Sequence, residues 1–519
     1  MAEIDEVALE RALDRLPLDF KGPGGVAGVV RDGKVIARRV WGYADPVQRK
    51  PMTAATRLPI CSISKQFTCA ILLDQIADPA ALDPKVAGLL PNLTGPLPTV
   101  KQLCDNQSGL RDYWALTVLQ GAMPEAEFRR EDALPLLARM KTGHFPPGAA
   151  YSYSNGNFRV VAELIERTSG RGLAELYAER LFRPAGMTTA ILNADTRFPA
   201  DDVVGHEGND ATGFLPARNG IYWIGDAGIA ASLDDMLAWE SFIDTTRDDP
   251  DSLYNRLSAP PSYADGTSAT YSYGLAHDII SGVKLTGHGG ALRGFRAHRV
   301  HAAAERLSVV VMFNHEANAH GATDTLLKAA LGLADAGEAI APEGWDGLWL
   351  DEDQGLVLRT GQDAKGVILH YATSPETLKV GPDGTAAGEG VELTRDGDLL
   401  RMHRKDENLR VTARVLKPLD QADGQAIAGR YWSDELETAV VIESRDGATF
   451  AGFEGLLGSG PMERMYPVAE DVWQIATRRS MDAPAPGDWT VLVRRDSGKA
   501  TGLTLGCWLA RRIEYQRIE

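Results

Sequence analysis

Residues 62–78 read SISKQFTCAILLDQIAD, and the helical pattern of this stretch decides the fold. Ile63, Phe67, Ala70, Ile71 and Leu73 recur near α-helical spacing, with Ser62 placed as an N-terminal residue. Ser62 and Lys65 lie three apart, so on a helix they share one face and their side chains meet. A serine hydroxyl is inert until a base takes its proton, and a lysine does so when burial and nearby positive potential lower its pKa. The helix start adds backbone N–H donors where an oxyanion would form. Alone, Ser-x-x-Lys equally describes a capping serine with a solvated lysine one turn later, so the rest of the chain has to decide.

Upstream, residues 24–45 read GGVAGVVRDGKVIARRVWGYAD, two apolar-rich runs joined by Asp32-Gly33, a strong hairpin signal. Downstream, the pattern predicts helices over 133–141, 157–169 (closed by a glycine), 171–182 and 232–243. Strand-like runs return with KLTGHGG from Lys284 and LSVVVMFNH from Leu307. Helices enclosed by early and late strands indicate an α+β layer fold over residues 1–334. Residues 334–344, ADAGEAIAPEG, are small, acidic and proline-containing, as a linker over 335–344 would be. Beyond it, short alternating segments separated by Gly- and Asp-rich turns predict two small antiparallel β-barrels, over 345–418 and 419–519. Gly347-Leu348-Trp349 and Gly429-Arg430-Tyr431-Trp432 are each followed by an acidic turn and an alternating strand, a hint of duplication.

Composition narrows the function. The chain has 519 residues, 44% hydrophobic and 24% charged, and no run approaching a membrane span. Its first 16 residues are acidic and helix-patterned, without the basic and apolar segments of a secretory leader, so a cytoplasmic location is the default expectation. With 71 acids against 54 bases the net charge is −17, which repels nucleic acid and anionic lipid. Cys61, Cys69, Cys104 and Cys507 are irregularly spaced and read as reduced. No histidine pair brackets a glutamate at zinc-protease spacing, so neither a metal nor another cofactor is expected.

Two further motifs complete the picture. Tyr153-Ser154-Asn155, reached through Pro147-Gly148, sets a phenol able to relay a proton beside an amide. Thr286-Gly287-His288-Gly289-Gly290-Ala291 offers a strand whose glycines let a substrate approach the backbone, with an N–H just beyond them for an oxyanion. The three motifs follow in order, 91 and 135 residues apart. Each is weak alone, but in this order they resemble the Ser-x-x-Lys, Tyr-x-Asn and Lys/His-x-Gly of the penicillin-recognising serine hydrolases. NQSGL from Asn106, FRPAGM from Phe182 and GDAGIAASLDDM from Gly225 support the likeness. Within that family the chain is similar to the three-domain D-aminopeptidases over essentially its whole length. The shared phrases include ICSISKQFTCA, NQSGLRDYWAL, LTGHGGALRGF, RSMDAPAPGDW and GCWLAR.

The resemblance implies a β-lactamase-like catalytic domain followed by two barrels, and an acyl-enzyme on Ser62 formed from a small peptide or amino-acid amide bearing an amino-terminal D-residue. Lys65 and Tyr153 would share the proton transfers, with His288 completing the catalytic set. Asn155 and Gly290 would position substrate, and the N–H groups of Ser62 and Ala291 would hold the oxyanion. A loop of the last barrel would reach the cleft, with Asp482 receiving the substrate ammonium. Inhibition by β-lactams and a homodimer are implied as well. Because His288 replaces the lysine that β-lactamases use, a carboxyl-terminal carboxylate has a less secure partner. Cys61 adjoins Ser62, but the residue three along is Ser64, so a buried structural role fits it better. The rivals are an esterase, a β-lactamase or a D,D-carboxypeptidase on the same scaffold, and a non-catalytic binding protein.

Overall fold

The computed structural model describes residues 3–334, 343–371, 374–477, 479–483 and 487–518. Most of the expected linker, 335–342, lies outside them. The hairpin read around Asp32-Gly33 forms as β1 (Gly24–Arg31) and β2 (Lys34–Asp45), and both turn residues have positive φ, as a two-residue hairpin loop requires. With β3 (Lys50–Pro51), β4 (Tyr271–Ser272), β5 (Leu275–Ile280), β6 (Val283–Leu292), β7 (Phe295–Ala302) and β8 (Leu307–Phe313) they make one antiparallel sheet ordered β3-β2-β1-β8-β7-β6-β5-β4. The first and last segments of the domain therefore meet at its centre, Val26 opposite Met312. One face of the sheet is covered by the helices Glu6–Asp19 and Ala319–Leu331, through Leu9, Leu13, Leu326 and Leu327.

The other face carries the site. Helix α1, here the one spanning Ser64–Gln75, packs beneath it with α2 (Tyr113–Leu119), α3 (Asn155–Ser169) and α4 (Leu233–Thr245). The spacing of apolar residues predicts one buried face for α1, yet every residue from Ser64 to Leu73 is buried. A helix walled in on all sides lies in a core rather than on a surface, and the Phe67 ring packs there with its centre 4.6 Å from that of Trp239, tilted by 43°. Helix α3 ends at Gly170 with φ 69°, the left-handed cap expected of a closing glycine. Helix α4 is capped by Ser232, whose side chain accepts from the Asp235 N–H. The helix expected over 171–182 runs from Leu173 through a π-turn at Ala178–Phe182 to Ala185.

Two closed eight-stranded antiparallel barrels follow, the first from Gly347 to Val415 and the second from Gly429 to Arg517. The GLW and GRYW runs begin the two barrels, at Gly347–Asp351 and Gly429–Ser433. Trp349, Leu358, Leu369, Leu393 and Leu400 fill the first barrel. The core of the second, including Tyr431, Phe453 and Trp489, is continuous with the catalytic core. It docks on α2: Gln120 Nε2 donates to the Leu436 carbonyl at 2.8 Å, and the Asp112 N–H to that of Leu509 at 2.9 Å. A Cβ on Gly121 would stand 2.1 Å from the Gly458 carbonyl, so only glycine permits this approach. Among the described residues, no helix is long and apolar enough to cross a membrane.

Candidate active site

Ser62 lies in a single 3-10 turn, Cys61–Ile63, which leads into α1. Cys61 holds φ 51°, a left-handed conformation that costs a residue with a side chain about 1–2 kcal/mol and occurs preferentially at functional sites. That bend leaves Ser62 half-buried at the floor of a cleft of about 830 Å³. The Cys61 thiol is buried, pushed by desolvation up to about 12, and hence inert as a nucleophile.

Lys65 Nζ donates to Ser62 Oγ at 2.8 Å, to Asn155 Oδ1 at 2.7 Å and to the Asp226 carbonyl at 2.7 Å. Three acceptors match the three protons of an ammonium. Complete burial nevertheless pushes Lys65 down to about 8, against the pull of the Asp226, Asp112 and Asp482 carboxylates. Tyr153 Oη donates to the same Ser62 Oγ at 2.9 Å, and burial raises its phenol well above the usual range. Ser62 Oγ thus sits between an amine brought near neutrality and a phenol kept protonated, a pair that can move one proton between nucleophile and leaving group.

The third motif forms the facing wall. Strand β5 pairs with β6 only as far as Gly287, so beyond it the edge of β6 is free to face the Ser62 turn. The closeness that Gly290 permits is to protein: a Cβ there would lie 2.3 Å from the Ile60 carbonyl and 3.1 Å from Cys61 Cβ. Gly290 and Ala291 both line the cleft. Because the obstructing atom at Gly290 is backbone, Gly290→Ala must displace the nucleophile turn. Since about 1 Å of misplacement costs roughly 100-fold, we expect that loss in turnover with the circular dichroism spectrum retained.

His288 lines the cleft but does not bond to Ser62 or Tyr153. Its Nε2 pairs with Tyr271 Oη at 2.8 Å, and its ring centre stands 6.1 Å from that of Tyr153. Burial, then the Lys65 charge, hold it down to about 3, so the imidazole is neutral and gives a substrate carboxylate no positive partner.

The β-lactamase family profile matches residues 9–333, and the profile described as D-aminopeptidase, domain B, matches 338–516. A D-aminopeptidase of Cereibacter sphaeroides (strain KD131) is 64% identical over 515 residues, covering 99% of this chain and all of that protein. One of Brucella melitensis is 50% identical over the full length of both chains. The chain belongs to the D-aminopeptidase family of penicillin-recognising serine hydrolases. The fold is shared more widely: a penicillin-binding protein homologue of Pyrococcus abyssi, described as octameric, superposes with TM-score 0.53 at 16% identity, over 98% of this chain and 99% of its own. A D-amino acid amidase of Ochrobactrum anthropi does so with TM-score 0.52 at 18% identity, over 63% of this chain and 98% of its own.

In this D-aminopeptidase-family chain both barrels contribute residues to the cleft. Asp482, on the second barrel, lies in the cleft wall with Ser62, Tyr153 and Asn155. Its carbonyl accepts from the Arg293 N–H at 2.9 Å, and its Oδ1 from Ser480 Oγ at 2.6 Å. Arg479 and Arg293 share Glu207, at 2.9 and 3.2 Å, tying this loop to the catalytic domain. Burial, then the Asp112 carboxylate, push Asp482 up to about 7. Residues 484–486 of the same loop lie outside the described residues.

Several supporting groups escape the sequence reading. Asp112 caps α2 through the Trp114 and Ala115 N–H groups and accepts both N–H and Nδ2 of Asn155, at 2.6 and 2.8 Å, fixing Asn155 Oδ1 toward Lys65. Asp226 is fully buried, with its Oδ2 accepting from Tyr113 Oη at 2.9 Å. Both aspartates sit in phrases that the resemblance quotes, NQSGLRDYWAL and GDAGIAASLDDM, but nothing in one sequence tells a buried acid from a solvated one.

Proposed function

We propose that the protein is a serine exopeptidase that releases an amino-terminal D-amino acid, such as D-alanine, from short peptides, amides or esters. The observation that carries this reading is Lys65 and Tyr153 sharing Ser62 Oγ, with a carboxylate from another domain, Asp482, lining the same cleft. In this mechanism Ser62 attacks the carbonyl of the D-residue as its proton passes to the Lys65–Tyr153 pair, which titrates as a unit. The N–H groups of Ser62 and Ala291 stabilise the oxyanion, and Asn155 orients the substrate beside Lys65. The leaving amine takes a proton from the pair, and water then releases the free D-amino acid from the ester. His288, neutral and held by Tyr271, supports the wall against which the substrate lies. Asp482 takes the ammonium in a charge-assisted bond and closes that end to longer chains.

The substrate panel that tests this is release of nitroaniline from the p-nitroanilides of D-alanine, L-alanine and N-acetyl-D-alanine. Turnover confined to the free D-substrate is expected; equal or better turnover of the acetylated or L-substrate would sink the reading and favour an esterase or a D,D-carboxypeptidase. The similar proteins named D-aminopeptidase and D-amino acid amidase support the D-stereospecific choice.

The same groups set a pH profile. Asp482 must be ionised to receive an ammonium, and Lys65 must release its proton, so kcat/KM rises with pH through about 7 to 8. It falls again as the substrate α-amine, with a pKa near 8, loses its charge. Ammonium binding lowers the Asp482 pKa, so the inflection near 7 should appear in kcat/KM and be weakened in kcat alone. A kcat/KM flat from pH 6 to 8 would contradict the Asp482 role.

A further inference from the structure

The cleft does not end at the catalytic domain; the first barrel closes its opposite end. His288 lies on β6, and Arg293 lies just past its end in the turn to β7. Asp482 is bonded at the Arg293 end. At the His288 end, Tyr271 pairs with His288 and its ring lies 5.6 Å from that of Tyr151, whose N–H donates to the Glu407 carbonyl at 3.0 Å. Tyr263 Oη and the Thr270 hydroxyl both reach the Asp406 carbonyl, so the barrel is seated on this edge. If the substrate ammonium lies at Asp482, the leaving group on the far side of Ser62 runs toward Glu376, Arg404 and Glu407, all of which line the cleft.

The charges there are unequal. Arg404 is buried, with Nη1 2.6 Å from Glu376 and Nε 2.6 Å from Glu407, and its guanidinium stacks over Trp508, 5.3 Å from the ring centre. Each of its three nitrogens donates to a carboxylate of its own barrel. Among the described residues, the one other guanidinium lining the cleft, Arg296, is paired with Glu316 at 3.1 Å. Together the described lining residues supply five carboxylates, Asp112, Glu316, Glu376, Glu407 and Asp482, against two guanidiniums. Among the described lining residues, an incoming carboxylate finds no guanidinium without a carboxylate partner.

We propose that Glu376, Arg404 and Glu407 form a leaving-group subsite that selects uncharged or cationic leaving groups and rejects those ending in a free carboxylate. The inference rests on the amino-terminal reading above. Its natural substrates are then amides, and peptides continued beyond or basic at the second residue, rather than free dipeptides. Glu376 and Glu407 act on specificity through charge and hold Arg404 in place; they do not touch the reacting atoms.

The experiment compares the full-length protein on D-alanyl-glycinamide, D-alanyl-glycine and N-(2-aminoethyl)-D-alaninamide, with D-alanine amide as reference. We expect kcat/KM for the glycinamide to exceed that for D-alanyl-glycine about tenfold at low ionic strength, carried by KM, and the aminoethyl compound to match or exceed the glycinamide. Salt at 0.5 M should shrink the gap, because charges across an open cleft are screened. Glu376→Gln, at a part-exposed position, frees one face of Arg404 and should narrow the ratio at least fivefold, mainly by lowering KM for D-alanyl-glycine. Equal kcat/KM for acid and amide, or a gap insensitive to both salt and Glu376→Gln, would overturn the subsite while leaving the aminopeptidase reading intact. Failure to turn over D-alanine amide at all would overturn that reading and this one with it. If Glu376→Gln fails to fold, the substrate ratio and its salt dependence in the native protein still decide.

Discussion

Ser62→Ala should lower kcat/KM for D-alanine p-nitroanilide by about 10⁴-fold or more, because it removes the atom that bonds to the acyl group. The fold should survive. Ser62 is half-buried, and Lys65 Nζ keeps two of its three acceptors, Asn155 Oδ1 and the Asp226 carbonyl. The two lost bonds, from Tyr153 Oη and from the Lys65 ammonium, cost about 1 and about 1.5–3 kcal/mol, less than the about 5–15 kcal/mol that holds a domain folded. The check is turnover together with a thermal melt, and mass spectrometry of the native protein quenched during turnover should show an acyl adduct on the peptide holding Ser62. Turnover within tenfold of the native rate in the alanine variant would remove Ser62 from the mechanism. Cys61 could not take its place, since its thiol is pushed up to about 12.

Asp482→Asn should cost about 100-fold in kcat/KM for free D-alanine anilide, the scale of a charge-assisted hydrogen bond in a partly desolvated site. Discrimination against the acetylated anilide should collapse by a similar factor, because the asparagine no longer repels a neutral amide or rewards an ammonium. The inflection near pH 7 in kcat/KM should disappear at the same time, since the group responsible is gone. Stability should hold or rise slightly: a carboxylate raised by burial and by a like charge at Asp112 is a liability to the folded state at neutral pH, where its ionised form is disfavoured. A variant that kept its preference for the free amine would place ammonium recognition elsewhere in the cleft.

Sequence alone carried the central part of the site, for reasons that lie in helix and turn geometry. Ser62 and Lys65 are local neighbours, and a three-residue spacing on a helix brings them together whatever surrounds them. Asp32-Gly33 commits its flanks to a hairpin because both residues must hold positive φ. The alternating segments after residue 345 are legible as barrels because period-two patterning separates interior from exterior on every strand. The pairing of Tyr153 and Asp482 with Ser62 came from resemblance, since sequence distance says nothing of which loops converge.

Tertiary structure decided the rest. Cys61 holds a left-handed conformation in a turn that packs against Gly290, on a strand more than two hundred residues away, where a side chain would not fit. His288 is neutral because burial strips its water and the nearby Lys65 charge opposes a second cation, neither of which its Gly-rich motif reveals. Asp112 and Asp226 become parts of the site through burial, a property of the folded whole. The charge at the far end of the cleft is set by Glu376, Arg404 and Glu407 of a barrel that begins only at Gly347, well beyond the end of β6 at Leu292. A short-range pattern can specify what a residue is able to do, because geometry within a helix or turn is local. The field in which it acts is the sum over every charge and wall the fold brings near, and only folding fixes that sum.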